Sequence, residues 1–310
     1  SEELAAAGCP LLLLLVSPAI CGTILSRFGT PAQQDTWLPG LATGKTKLVF
    51  AITEPDAGSN SHRISTVARR EGDEWVLSGT KYYISGVDEA DAILVVAATP
   101  DVEGRPGLSL FLVDANAPGL TKTPIPMELV AAERQYTLFF DGVRVPSERL
   151  VGKPGHGLQQ VFVGLNPERI LGAAMGNGIA RYALSAAARY AGERAVFGAP
   201  IGTHQGIAHP LAQAKIEVEL ARLMTSKAAW LFDQGLDAAE AANMAKYAAA
   251  EAALAAVDAA IQTHGGNGMS EEYGIAALWG VARTLRIAPV SREMILNFIA
   301  QHSLKLPKSY

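Results

Sequence analysis

A chain of 310 residues with 49% hydrophobic and 18% charged residues can bury two cores, which excludes a disordered protein. The net charge of −4 offers no electrostatic footprint for nucleic acid or an anionic membrane surface, so neither is an expected partner. The only cysteines, Cys9 and Cys21, form no CxxC and stand by no histidine cluster. That argues against a disulfide framework or a bound metal and points to a reducing compartment, the cytoplasm.

Residues 1–47 read as short helices broken by Pro and Gly, ending in Trp37-Leu38-Pro39-Gly40, too few to form a domain alone. The apolar stretch Cys9 to Leu25, with Leu11 to Leu15 unbroken, is short for a bilayer span and is interrupted by Pro10, Pro18 and Gly22. Glu2 and Glu3 precede it where a signal peptide carries positive charge, so buried helix in a soluble core is expected. From Leu48 to about Val145 the texture is strand-like. The runs are Leu48–Thr53, Ile64–Arg70, Glu74–Leu77, Lys81–Ser85, Ala92–Ala98, Leu108–Val113 and Tyr136–Phe140. Turn residues such as Glu71-Gly72-Asp73 and Pro106-Gly107 separate them, and no long helical period intervenes. An antiparallel sheet or barrel is therefore expected, not a βαβ arrangement.

From about Gly157 onward the chain turns helical and Ala-rich. Ile216, Leu220, Leu223 and Leu231 share one face at helical spacing, as do Tyr247, Leu254, Val257 and Ile261. Breaks at 198–202, 235–237 and 265–270 leave about four long helices, enough for an up-and-down bundle. No internal repeat is visible. The expected organisation is α+β: the remainder of an N-terminal helical domain at 1–47, a central antiparallel β domain at 48–150 and a C-terminal four-helix bundle at 151–310.

No GxGxxG follows a strand, so a Rossmann dinucleotide site has no support. His264-Gly265-Gly266-Asn267-Gly268 reads, taken alone, as a Gly-rich helix end. The segment Phe50 to Ser59 is a strand running into a turn, with Thr53 and Ser59 hydroxyls open to a flat polar ligand. On spacing alone the favoured reading is a turn whose Asp and Ser satisfy local backbone N–H groups.

Taken together, four blocks resemble the acyl-CoA dehydrogenases: Thr53-Glu54-Pro55-Asp56-Ala57-Gly58-Ser59, then Gly79 to Ser85, then Arg194-Ala195-Val196-Phe197-Gly198, then Gln262-Thr263-His264-Gly265-Gly266. They stand in the family's order and span nearly the whole chain. The resemblance implies FAD bound between the β domain and the helical bundle, with a second subunit completing the site. Phe50, Ile52 and Thr53 match positions along the isoalloxazine ring, and Ser59 a position near the pyrophosphate and thioester. Tyr83 stands where the family places Trp or Phe against the flavin; Ser85 replaces the usual Thr at flavin N5 and keeps a hydroxyl. Arg194, Phe197 and Gln205 match positions that reach the neighbour's FAD, and Arg194 suits a pyrophosphate through paired charged hydrogen bonds. Gln262, Gly265 and Gly266 match the adenosine end; Ser291 is a further cofactor position, and Ser59 and Arg169 are assigned to substrate. The structural alternatives stay open: Phe50, Tyr83 and Phe197 as core aromatics, Arg194 as a solvated charge, and Ser59 and Gln205 as surface residues. His264 reads as structural.

Dehydrogenation at Cα–Cβ needs a base for the α-proton beside the flavin's hydride acceptor. Most of the family carries this Glu in a YEGTSE-like run near the C-terminus. The matching run here is Ala288-Pro289-Val290-Ser291-Arg292-Glu293, and Pro289 neither accepts a proton nor donates from its backbone. Leu165-Asn166-Pro167-Glu168-Arg169-Ile170 opens the first bundle helix and resembles the segment of isovaleryl-CoA and long-chain enzymes that carries their base. Glu168 is accordingly the expected catalytic base; its structural alternative is a carboxylate in a first helical turn, favoured by the helix dipole. The implied activity is FAD-dependent conversion of an acyl-CoA to the 2-enoyl-CoA, with an electron-transferring flavoprotein as acceptor and a homotetramer as the assembly. A same-fold acyl-CoA oxidase, a flavin monooxygenase or a non-catalytic acyl-CoA-binding subunit are the alternatives. Ser1 lies about fifty residues before the Thr53–Ser59 run, so the N-terminal helical domain is expected to be incomplete.

Overall fold

The computed structural model describes residues 1–13, 15–102 and 105–308. The chain divides into two compact units: a sheet unit, Leu12–Met127 with Ala132–Glu168, and a helical unit, Ser1–Leu11 and Glu128–Ala131 with Arg169–Tyr310.

The chain opens on α1 (Glu2–Ala6). Leu15–Gly22 is a π-helical segment that passes through Pro18, followed by α2 (Thr23–Phe28) and α3 (Pro31–Thr43). Leu15, Ile20, Cys21, Ile24 and Leu25 are buried, as the apolar run requires; Leu14 lies outside the described residues. The expected break at Trp37–Gly40 is absent, because α3 runs straight through Pro39. The carbonyl that Pro39 deprives of its partner belongs to Asp35, an exposed residue. Thr30 and Gln33 close a capping box at the start of α3.

The sheet strands are β1 (Leu48–Ala51), β2 (Val67–Glu71), β3 (Glu74–Ser85), β4 (Ala92–Val102), β5 (Arg105–Asp114), β6 (Leu120–Ile125), β7 (Gln135–Pro146) and β8 (Leu150–Val151). Their order is β6-β7-β3-β2-β4-β5-β8, with β1 also on β4. The sheet is mixed rather than antiparallel: β1 runs parallel to β4, and β2 joins the same strand in parallel through Val67 and Ala98. The two runs 74–77 and 81–85 prove to be one strand with irregularities, and Gly107 pairs with Thr99 inside β5 instead of turning. β4 explains the two-sided core. Ile93, Val95 and Ala97 enter one apolar cluster and Ala92, Leu94 and Val96 the other, so its unbroken apolar run is buried on both faces.

The helical unit holds most of α4 (Gly157–Glu193), a hairpin of β9 (Ala195–Val196) and β10 (Ala199–Pro200), α5 (Gln205–Asp233), α6 (Ala239–His264), α7 (Ala277–Ile287) and α8 (Arg292–Phe298). Among the described residues α4, α5 and α6 are long and α1, α7 and α8 short, in place of four long helices. The face that α5 buries is Ala214, Val218, Ala221, Thr225 and Ala228, not the larger residues. Small side chains let α5 and the alanine-rich α6 approach closely, which leaves Ile216, Leu220 and Leu223 facing outward. α1 docks on α4 at Gly178, where a Cβ would lie 2.3 Å from the Glu2 carbonyl oxygen. Glu2 is held by Arg181 and Arg222, each at 2.7 Å.

Candidate active site

In the sheet unit, β1 delivers half-buried Phe50 and, just beyond its end, Ile52, both packed on the core cluster that Leu165 of α4 also joins. Thr53 is half-buried and Ser59 exposed on the following turn. Between them the Glu54 side chain is buried and paired with Lys81 of β3 at 2.8 Å, their side chains 2% and 0% exposed. Glu54 also accepts from the Ser65 N–H and hydroxyl, both at 2.6 Å, and from the Thr66 N–H at 2.9 Å. Burial alone would raise the Glu54 carboxyl, but the Lys81 cation and these donors outweigh it and hold it at about 2. Burial pulls Lys81 down to about 8 against the attraction of Glu54, which leaves both groups charged at neutral pH. Sequence reasoning passed over this pair. Its signal was there: Lys81 keeps period-2 parity with buried Trp75 and Leu77, and a charge on a core face requires a partner.

β3 then breaks register. Lys81 pairs with Leu138 and Ile84 with Tyr136, so Tyr82 and Tyr83 together face one residue of β7, a β-bulge. Tyr83 sits at φ 56°, which few bulky residues adopt, and is half exposed. Its ring lies 4.2 Å from that of Tyr82. The bulge thus turns a flat aromatic face out of the sheet, which removes the reading of Tyr83 as a core residue. Ser85 donates to Gln135 Oε1 at 2.9 Å, so its proton is engaged and its lone pairs remain to accept.

Glu168 belongs to the same unit. α4 begins at Gly157, so Glu168 does not open the helix but lies about three turns inside it, 8% exposed. The helix-dipole alternative therefore falls, since that effect fades within the first turn. Cys21 lies in its field: burial and then the Glu168 carboxylate push the Cys21 thiol far up. Arg169, the next residue, is buried and falls in the helical unit.

In the helical unit, Arg194 follows the end of α4 and is exposed. Phe197 and Gly198 form the two-residue tip of the β9–β10 hairpin with φ 55° and 80°, a type I′ turn. Phe197 is 98% exposed, so it is not a core aromatic. Gln205, first residue of α5, and Gln262, near the end of α6, are exposed. Gln262 lines a groove of about 360 Å³ with Gly206, Ile207, Pro210 and Asp258. Gly265 takes φ 58°, ψ −134°, a conformation for glycine alone, and a Cβ on Gly265 or Gly266 would meet nothing within 4 Å. This end is open to a ligand. His264 is buried, its Nδ1 2.7 Å from the Ala260 carbonyl oxygen and its ring stacked on Tyr190, a structural part as its position suggests. Ser291 caps α8 by accepting from the Met294 N–H at 3.3 Å, which leaves its hydroxyl proton to give.

Comparison with known proteins defines the class first. The N-terminal, middle and C-terminal domains of acyl-CoA dehydrogenases match residues 1–45, 49–143 and 155–304. The chain belongs to the acyl-CoA dehydrogenase family, oxidoreductases acting on a CH–CH group. It is 58% identical to acyl-CoA dehydrogenase FadE12 of Mycobacterium tuberculosis, over 100% of this chain and 80% of that protein. A glutaryl-coenzyme A dehydrogenase in complex with glutaryl-CoA superposes with a TM-score of 0.94 at 36% identity, over 99% of this chain and 79% of that one. A glutaryl-CoA dehydrogenase of Mycobacterium smegmatis in complex with FADH2 does so at 0.89 and 28%, over 96% and 76%. Among the described residues no helix is long and apolar enough to cross a membrane.

Proposed function

We propose that the chain holds FAD and uses Glu168 as the base that takes the α-proton of an acyl-CoA thioester. The flavin, when bound, supplies the acceptor for the β-hydrogen. The donor set suits it: an outward aromatic face at Tyr83, hydroxyls at Thr53 and Ser85, an exposed guanidinium at Arg194, and open glycine backbone at Gly265 and Gly266. The burial of Glu168 carries the reading. A weakly acidic α-proton calls for a carboxylate shielded from bulk water, and Glu168, about three turns inside α4, is 8% exposed. Pro289 leaves the other family position without a base. Anaerobic titration of the FAD-loaded protein with a panel of acyl-CoAs tests this. Bleaching of the oxidised flavin's visible absorption, as two-electron reduction requires, is the expected result; an unbleached flavin with every acyl-CoA would leave a binding subunit instead.

We further infer a homo-oligomer, of four subunits as in the family, and an electron-transferring flavoprotein as acceptor. Ile216, Leu220, Leu223 and Trp230 form a stripe along α5, each more than half exposed, and Phe197 stands fully out of its hairpin. Contiguous apolar surface of this kind marks a protein contact. Leu220→Glu combined with Leu223→Glu is expected to lower the assembly mass in sedimentation velocity, with each buried anchor contributing about 2 kcal/mol. Bound FAD should fall with it, since Arg194 and Phe197 are assigned to a neighbour's cofactor. An unchanged mass would place the contact elsewhere.

A further inference from the structure

We propose that Glu54 and Lys81 are positioning residues for the flavin: their buried pair fixes the Ile52–Glu54 turn against the Tyr82–Tyr83 bulge. This rests on the assignment of Phe50, Ile52, Thr53 and Tyr83 to the flavin.

The sheet itself does not join these two segments. β1 pairs with β4, and β3 pairs with β2 and β7. β2 begins at Val67, opposite Ser78, so β3 from Gly79 to Ser85 has no ladder partner on that side. Bonds from three consecutive residues fill the gap. Lys81 Nζ donates to the Ile52 carbonyl at 3.0 Å, the Tyr82 N–H donates to the Thr53 carbonyl at 2.9 Å, and Glu54 takes Lys81. The far side of Glu54 is tied to Ser65 and Thr66, and Thr66 in turn accepts from the Ala98 N–H of β4 at 2.7 Å. The turn therefore has its backbone carbonyls aimed, its height over the sheet set, and the bulge fixed beside it.

An apolar pair of similar volume would hold a fold as firmly, since burying two charges costs about what their attraction returns. It could not orient the Ile52 carbonyl or hold the Thr53–Tyr82 bond in line. The directional pair serves geometry, and contacts to a rigid ring depend on geometry to a fraction of an ångström.

The test compares FAD-loaded wild type, Lys81→Met, Ser65→Ala and, as control, Arg144→Met. Arg144 makes exposed ion pairs with Glu71 and Glu74 on the same sheet. In Lys81→Met the visible flavin circular dichroism is expected to shift, the FAD Kd to rise, and kcat to fall by about 10²-fold. KM for acyl-CoA moves less, and Arg144→Met leaves all four readings unchanged. A folded Lys81→Met with wild-type flavin spectrum, FAD affinity and kcat overturns the proposal. Should that variant not fold, Ser65→Ala decides: a smaller shift of the same sign supports the proposal, and none overturns it. A wild type that acyl-CoA does not bleach would instead refute the underlying assignment of function.

Discussion

Glu168→Gln is expected to remain yellow and FAD-loaded while its turnover falls by about 10²–10⁴-fold, the usual worth of a positioned general base. Glutamine keeps the volume of the side chain and its capacity to accept a hydrogen bond, so the packing of α4 need not change. It cannot take a proton. Anaerobic addition of acyl-CoA should still perturb the flavin spectrum by binding, without the bleaching seen in wild type. That split between retained binding and lost reduction is what separates a base from a packing residue. A variant that is merely unstable would lose FAD along with turnover. Unchanged turnover would rule Glu168 out and return attention to acids outside the sheet unit, Glu293 among them.

How much of this was written in the sequence differs by element. β4 was plain because its apolar run is long, whereas β7 was read only over Tyr136–Phe140, since Asp141-Gly142 looks like a turn inside a strand that reaches Pro146. β6 was not read, since Pro124 breaks the pattern; as the end strand of the sheet it can carry a proline without losing a bond on its outer side. The helical zone was legible in type but not in orientation. Ile216, Leu220 and Leu223 carry a strong helical period, yet the face they define is not the one α5 buries. Hydrophobic periodicity reports which face avoids water, and cannot say whether the neighbour is the same chain or another. The proposed site residues were named through family blocks, which carry no word on their backbone. Nothing in Tyr82-Tyr83 announces a bulge with a positive φ, because that conformation is imposed by pairing with β7, far away in sequence. Helical texture was legible from Gly157, where α4 does begin, but Asn166-Pro167 reads locally as a helix start, so Glu168 was placed in a first turn and its position in the helix interior went unseen.

Lys81→Met should also be the most destabilising single change in the sheet unit, by about 3–5 kcal/mol at neutral pH. The cost is not the lost attraction alone. Removing the cation strands the Glu54 carboxylate out of water, with the Ser65 and Thr66 donors still on it and the Ile52 carbonyl short of a donor. Acid separates this from ordinary loss of packing. In wild type the Glu54 carboxyl titrates at about 2, below its ordinary value of 4.5, so the stability it contributes is complete above about 4.5 and is lost as pH falls toward 2. In Lys81→Met burial acts unopposed by the cation and the carboxyl titrates higher than in wild type. Protonation then relieves the stranded charge, and acidification costs the variant less than it costs wild type. Thermal unfolding measured from pH 7 down to pH 4 should show the gap between the two proteins narrowing. A gap that stays constant across that range would mean that the lysine acts as buried hydrocarbon and that its charge contributes nothing to the fold.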